Sequence, residues 1–201
     1  GLQAVRWMRL PLPDAFMACG KICQKSLLKS GYPPDRIRPC APFRSEHLLK
    51  FMQAEKTRIH RRTKKDLKPG LWQLFLAGSV SPHENRGMIH ALLHALSSLP
   101  SLILLFRPHP TRPFPESLLR DLGRHPKVSE IFPATGSRYL EHLSASRVLV
   151  SGGSSIVFEA IALGVMPVVY ESPAEFSACS LRGFASSLFV ARNSRELSRG
   201  I

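Results

Sequence analysis

The stretch Val148–Tyr170, VLVSGGSSIVFEAIALGVMPVVY, constrains the fold more than any other part of the chain. An apolar run, Val148 to Val150, stops at Ser151-Gly152-Gly153-Ser154-Ser155. Ile156, Ala160, Ile161 and Leu163 then recur at helical spacing, Gly164 closes the helix, and a second apolar run extends from Val165 to Tyr170. Strand, small-residue loop, helix, glycine stop and strand make one βαβ unit with a polar loop at the carboxyl end of its first strand. Parallel α/β sheets bind their ligands at that end.

The loop chemistry suits an anion. Gly152 and Gly153 let a ligand approach the backbone closely, and Ser154 and Ser155 stand where a helix begins, with unpaired N–H groups directed outward. A phosphate fits such a site. Glu159 falls four residues after Ser155 and so shares its helix face. A carboxylate there would repel a phosphate but accept hydrogen bonds from hydroxyl groups such as those of a ribose. The alternative is local: Ser154 as an ordinary helix cap and Glu159 as a solvated helix residue. Gly-Gly-Ser-Ser is more permissive than a cap alone requires.

The same pattern recurs upstream. Leu71–Ala77 is an apolar strand ending at Gly78-Ser79, and Glu84–Leu99 a helix with Met88, Ile89, Leu92, Leu93 and Leu96 on one face. Leu102–Phe106 is a second strand, ending at Arg107-Pro108-His109-Pro110. Glu116–Leu122 reads as a helix, Lys127–Phe132 as a strand and Arg138–Ser144 as a helix. Strands alternating with helices predict an α/β fold, a doubly wound, parallel, Rossmann-like sheet covered on both faces. Right-handed crossovers then gather the ends at Gly78-Ser79, Arg107–His109 and Ser151–Ser155 on one edge. Two prolines hold the backbone around His109, and Arg107 supplies a fork that fits phosphate. His109 could hydrogen-bond a diphosphate or stabilise charge developing on it, which makes it the candidate catalytic residue; the competing reading is a structural histidine at a strand end. His83, His94 and His125 have no comparable context.

Residues 1–45 do not form a self-sufficient start. Ala15–Gly20 reads as a short strand, Lys21–Ser30 as a helix stopped by Gly31, and Ile37–Arg44 as an extended, proline-punctuated segment. One strand and one helix bury no core, so this part is expected to be the tail of an amino-terminal domain followed by a hinge. Residues 46–70 are expected to be a basic linker or helix, and residues 71–201 the α/β domain, ending just inside a helix at Ser194–Ile201.

Charge narrows the partners. Twenty-eight Lys and Arg against fourteen acidic residues give +14, which favours something anionic: a phosphate-bearing substrate, a nucleic acid or an acidic membrane surface. Much of the excess lies in Lys50–Lys68, where Lys and Arg far outnumber Glu55 and Asp66. That run carries no aromatic ladder, and no nucleic-acid-binding signature occurs, so nucleic acid is not expected as a partner. An apolar fraction of 44% supports a core, no run reaches transmembrane length, and the opening residues carry no secretory pattern. A soluble, cytoplasmic protein is expected, its membrane contact at most peripheral. Cys19, Cys23, Cys40 and Cys179 lack the spacing of a zinc site and read as reduced, structural thiols. No Asp-x-Asp cluster is present to carry a metal, so none is expected.

Residues Leu71–Val190 resemble the carboxyl-terminal, nucleotide-sugar-binding domain of GT-B-fold glycosyltransferases. The His-Pro dipeptide after one strand and the Ser-Ser loop after a later one are similar to those of enzymes that build bacterial surface polymers: capsule polysaccharide transferases, polysialyltransferases and teichoic-acid glycerophosphotransferases. Gly31–Ile37 also resembles the hinge that precedes this domain. The resemblance implies one half of a GT-B fold in a glycosyltransferase of surface polysaccharide biosynthesis. It implies contacts of His109, Ser154 and Ser155 with the donor's phosphate and of Glu159 with its ribose. A nucleotide-activated sugar would lie among Gly78, Ser79, Arg107, His109, Gly152, Gly153, Ser154, Ser155 and Glu159, as substrate rather than cofactor. The acceptor would be a glycan or a lipid-linked molecule. In these families the amino-terminal domain binds acceptor and often carries the catalytic base; little of it is expected here, so this piece alone is expected to bind nucleotide weakly and transfer little. Two rivals remain. A UDP-sugar 2-epimerase shares the fold and a Ser-Gly-Gly loop, and a non-catalytic module could use Arg61, Arg62, Lys64 and Lys65 to hold an anionic polymer or membrane.

Overall fold

Six parallel strands carry the larger part of the chain, in a computed structural model that describes residues 13–40, 46–55, 72–172 and 188–201. The chain divides into two units, Gly1–Lys50 and Phe51–Ile201. In the first, β1 (Phe16–Cys19) and β2 (Ile37–Cys40) pair in parallel through α1 (Gly20–Lys29). The segment expected to be merely extended therefore begins as a strand. Gly31, at φ 84°, ends α1 as anticipated: its own N–H bonds Leu28 O, and the Tyr32 N–H reaches Leu27 O. Those are the two bonds of a Schellman stop. The helix α2 (Glu46–Glu55) follows. The rest of the basic run, 56–68, and Cys179 lie outside the described residues.

The second unit contains β3 (Trp72–Ala77), α3 (Pro82–Leu96), β4 (Leu102–Arg107), α4 (Glu116–Arg124), β5 (Val128–Pro133), α5 (Tyr139–Ala145), β6 (Val148–Ser151), α6 (Ile156–Ala162), β7 (Met166–Tyr170), β8 (Phe189–Ala191) and α7 (Ser194–Gly200). The strand order is β5-β4-β3-β6-β7-β8, parallel throughout. The chain thus winds outward from β3 in one direction, returns to the centre at β6 and winds outward in the other. This is the doubly wound order of a Rossmann-like sheet, and the reversal between β3 and β6 opens a crevice at their carboxyl ends.

The strands alternate their side chains between two covered faces. Leu74, Leu76, Leu102, Leu104, Val148, Val150 and Val168 join Met88, Ile89, Leu92 and Leu96 of α3, Leu118 and Leu122 of α4 and Leu197 of α7 in one buried cluster. Phe75, Leu105, Leu149 and Val169 are buried too and alternate with that set, while α5 packs on β3 and α6 on β6 and β7. The helix after the small-residue loop departs in detail from its expected stripe. Ile156, Val157 and Ala160 are its buried residues, and Ile161 is exposed, because the sheet covers a narrower face than the apolar spacing alone allows.

Candidate functional site

Register brings the expected loops together. Ala77 pairs with Arg107 on one side and Ser151 on the other, so the ends of β4, β3 and β6 stand side by side. Two strand spacings separate Arg107 from Ser151, about 10 Å of backbone. The Gly78 N–H donates to Arg107 O at 2.8 Å. A Cβ on Gly78 would come within 2.9 Å of the His109 backbone nitrogen, so only glycine lets these two loops pack so closely. Ser79 is buried and held by Asn85: its N–H donates to Asn85 Oδ1 at 2.7 Å, and Asn85 Nδ2 donates back to Ser79 O at 2.9 Å. One turn of α3 thereby fixes the β3 loop. The helix itself begins at Pro82 rather than Glu84, capped by Ser81, whose Oγ accepts from the Glu84 N–H at 3.2 Å.

His109 is held in a tight turn. Its Nδ1 lies 3.0 Å from Thr111 Oγ1 and 3.4 Å from the Thr111 N–H. A backbone N–H can only donate, so the neutral ring bonded this way carries its proton on Nε2. The cationic ring carries a proton there as well. In either state Nε2–H is a donor, a role suited to a phosphate oxygen.

Arg107, Tyr139 and Glu159 converge from three elements. The Arg107 guanidinium stacks on the Tyr139 ring, 3.4 Å from its centroid. The Tyr139 hydroxyl lies within hydrogen-bonding reach of both Arg107 and Glu159. Burial raises this phenol above its ordinary value of 10.0; the guanidinium works against that rise and the Glu159 charge adds to it. Glu159 keeps Oε2 fully shielded from solvent with no hydrogen-bond partner among the described residues. A shielded carboxylate oxygen without a donor is unfavourable by itself.

The small-residue loop faces the same edge. The Ser154 N–H turns back to Gly152 O at 2.7 Å, and Val157 and Phe158 donate to Ser154 O and Ser155 O. Ser155 occupies the cap position of α6, yet its hydroxyl makes no capping bond. The loop therefore holds the Ser154 and Ser155 side chains outside its own hydrogen-bond scheme. Gly152 carries a second close approach: a Cβ there would overlap the carboxyl group of Glu84. Glu84 also raises the Tyr170 phenol, adding to the larger effect of burial. A second carboxylate thus sits on the serine loop, at the β3–β6 crevice.

Gly78, Ser79, Arg107 and His109 form one packed group, Gly152 to Ser155 another, and Tyr139 links Arg107 to Glu159. Sequence reasoning missed Tyr139, Glu84 and Asn85. The signal for Asn85 was a polar residue among the apolar positions of a helix, where it is buried; that for Glu84 was the Ser-Pro-x-Glu helix start. Tyr139 carried none.

The sequence matches no protein-family model and no curated protein. Solved structures do share its fold. The Methanocaldococcus jannaschii UDP-GlcNAc 2-epimerase in complex with UDP-GlcNAc and UDP aligns with a TM-score of 0.65 at 12% identity over 93% of this chain and 53% of its own. Anabaena HepE in complex with UDP-glucose aligns at 0.52 and 12% identity, over 98% and 56%. The wall teichoic acid polymerase TagF aligns at 0.51 and 13%, over 96% and 52%. The chain spans about half the length of each of these structures. At such identities the likeness is one of fold: an α/β, Rossmann-like half of the GT-B architecture.

Proposed function

We propose that residues 71–201 bind a nucleotide-activated sugar and that the protein they belong to is a glycosyltransferase of surface polysaccharide biosynthesis. The observation that carries this reading is the half-buried Glu159, whose Oε2 is shielded and unpartnered while the rest of the side chain stays accessible, near strand-end loops that offer donors. In this arrangement Glu159 accepts from ribose hydroxyls. Ser154 and Ser155 donate to phosphate oxygens, and so does His109 through Nε2. Cleavage of the sugar–phosphate bond leaves negative charge on the departing diphosphate, and donors placed there in advance stabilise the transition state more than the ground state. The net charge of +14 supports an anionic acceptor or peripheral contact with an acidic membrane. Neighbouring structures determined with UDP, UDP-GlcNAc or UDP-glucose favour UDP as the nucleotide.

A UDP-sugar 2-epimerase is the second reading, favoured by the likeness to an enzyme of that activity. Two measurements test both. Calorimetry with UDP is expected to show binding that weakens in Glu159→Gln; absence of UDP binding in the full-length protein overturns the donor site. Incubation with a UDP-sugar is expected to release UDP only when a glycan acceptor is added. Formation of the C2 isomer without acceptor would establish the epimerase instead.

A further inference from the structure

Unit Gly1–Lys50 holds a chemical group unrelated to the sheet-edge site. Its two strands pair in parallel so that Cys19 and Cys40, the last residue of each, are direct partners. Their sulfurs lie 3.6 Å apart. Cys23 stands four residues on, in the first turns of α1. All three are free thiols, Cys19 exposed and Cys40 half-buried. The pattern of four cysteines without close spacing suggested structural thiols; chain reversal through α1 instead brings residues 21 apart in sequence into contact.

We propose that Cys19 and Cys40 are a peroxide-reactive dithiol that closes to a disulfide. Neighbouring parallel strands place paired Cα atoms about 4.8 Å apart, inside the range of roughly 4.4–6.8 Å that a disulfide spans. Closing the sulfurs to a bond of about 2.05 Å then takes side-chain rotation without moving the strands. Exposure makes Cys19 the first nucleophile. Burial pushes the Cys40 thiol up, and the adjacent Cys19 and Cys23 push it further. The Cys19 thiolate attacks one oxygen of hydrogen peroxide, the O–O bond breaks, and the departing hydroxide takes a proton to give water and a sulfenic acid. Cys40, as thiolate, attacks that sulfur; the S–O bond breaks and the second hydroxide leaves as water. Two thiols and one peroxide yield one disulfide and two waters. The bond would clip the carboxyl ends of β1 and β2 together at the junction where α1 begins.

Peptide mapping reads the pairing directly, because Lys21, Lys25 and Arg36 place Cys19, Cys23 and Cys40 in separate tryptic peptides. The reduced full chain is treated with equimolar hydrogen peroxide at neutral pH, alkylated with iodoacetamide and digested without reductant. The expected product is the Cys19 peptide joined to the Cys40 peptide, two hydrogens lighter than their sum. Cys40→Ser is expected to stop at a Cys19 sulfenic acid that dimedone traps. A Cys19–Cys23 bond, a bond to Cys179, or complete alkylation of every thiol under conditions that oxidise glutathione would each overturn the proposal, and the wild-type map alone decides it if the variant does not fold.

Discussion

Glu159 is the residue on which the donor-site reading can be tested most sharply. Replacing it with Gln keeps the side-chain volume and removes the charge, so the shielded oxygen becomes a neutral acceptor. Hydrogen bonds to charged groups contribute about 1.5–3 kcal/mol, which corresponds to a loss of about tenfold to a hundredfold in UDP affinity by calorimetry. Affinity equal to that of the wild type would remove Glu159 from the site. Tyr139→Phe deletes the hydroxyl that faces Glu159 and keeps the ring under Arg107, and its effect on UDP affinity is expected to be under about tenfold, the smaller value of a neutral hydrogen bond. If the complete protein is the glycosyltransferase proposed, His109→Ala is expected to lower its turnover roughly tenfold to a thousandfold in steady-state assays, the effect of losing a donor to developing charge. The placement of Glu159 and His109 in the fold was legible in the sequence because each stands at a fixed offset from a strand end. Tyr139 was not: it opens a helix whose apolar pattern already accounts for it, and only the fold brings it between β4 and α6.

At the level of elements, two glycines separate a constraint that cannot yield from one that can. A Cβ at Gly78 meets the His109 backbone nitrogen at 2.9 Å and the Phe114 ring at 3.2 Å. Neither strand end can withdraw without breaking the Gly78–Arg107 hydrogen bond, so Gly78→Ala is expected to lower unfolding free energy by about 1–3 kcal/mol, the usual cost of overpacking. The three atoms nearest a Cβ at Gly152 all belong to the end of the flexible Glu84 side chain. Gly152→Ala should therefore cost less, and most of its cost should vanish in the Glu84→Ala background, a non-additivity that denaturant titration of the four variants would reveal. Equal costs in both backgrounds would show that the strain lies in the loop backbone itself. Gly31 and Gly164 were legible as helix stops, since both follow the last apolar position of a helical repeat. The pairing of β1 with β2 was hidden by Pro39, which suggests an interrupted segment but sits on a two-stranded sheet, where each strand is an edge that tolerates it.

At the largest scale, the second unit was legible as a parallel, doubly wound sheet because its apolar runs and helical repeats alternate without interruption from β3 to β7. Its last strand, β8, is only three residues long and offers too short a run to declare itself. What periodicity could not show is how the carboxyl edge loads ionisable groups onto buried aromatics. Tyr139 and Tyr170 are both buried near that edge, and burial raises both phenols above 10.0, with Glu159 contributing at the first and Glu84 at the second. A phenol whose folded pKa exceeds its unfolded value binds its proton more tightly in the native state. Its contribution to stability is complete below about pH 10 and is lost as pH rises through the folded pKa. Lysines titrate in the same range, so the wild type alone gives an ambiguous slope, but Tyr170→Phe keeps them all. The stability difference between wild type and Tyr170→Phe, read from guanidinium midpoints, is expected to hold steady from pH 7 to about pH 9.5 and then shift against the wild type at higher pH. A difference that stays constant up to pH 11 would mean that Tyr170 ionises equally in both states, and that neither burial nor Glu84 bears on it.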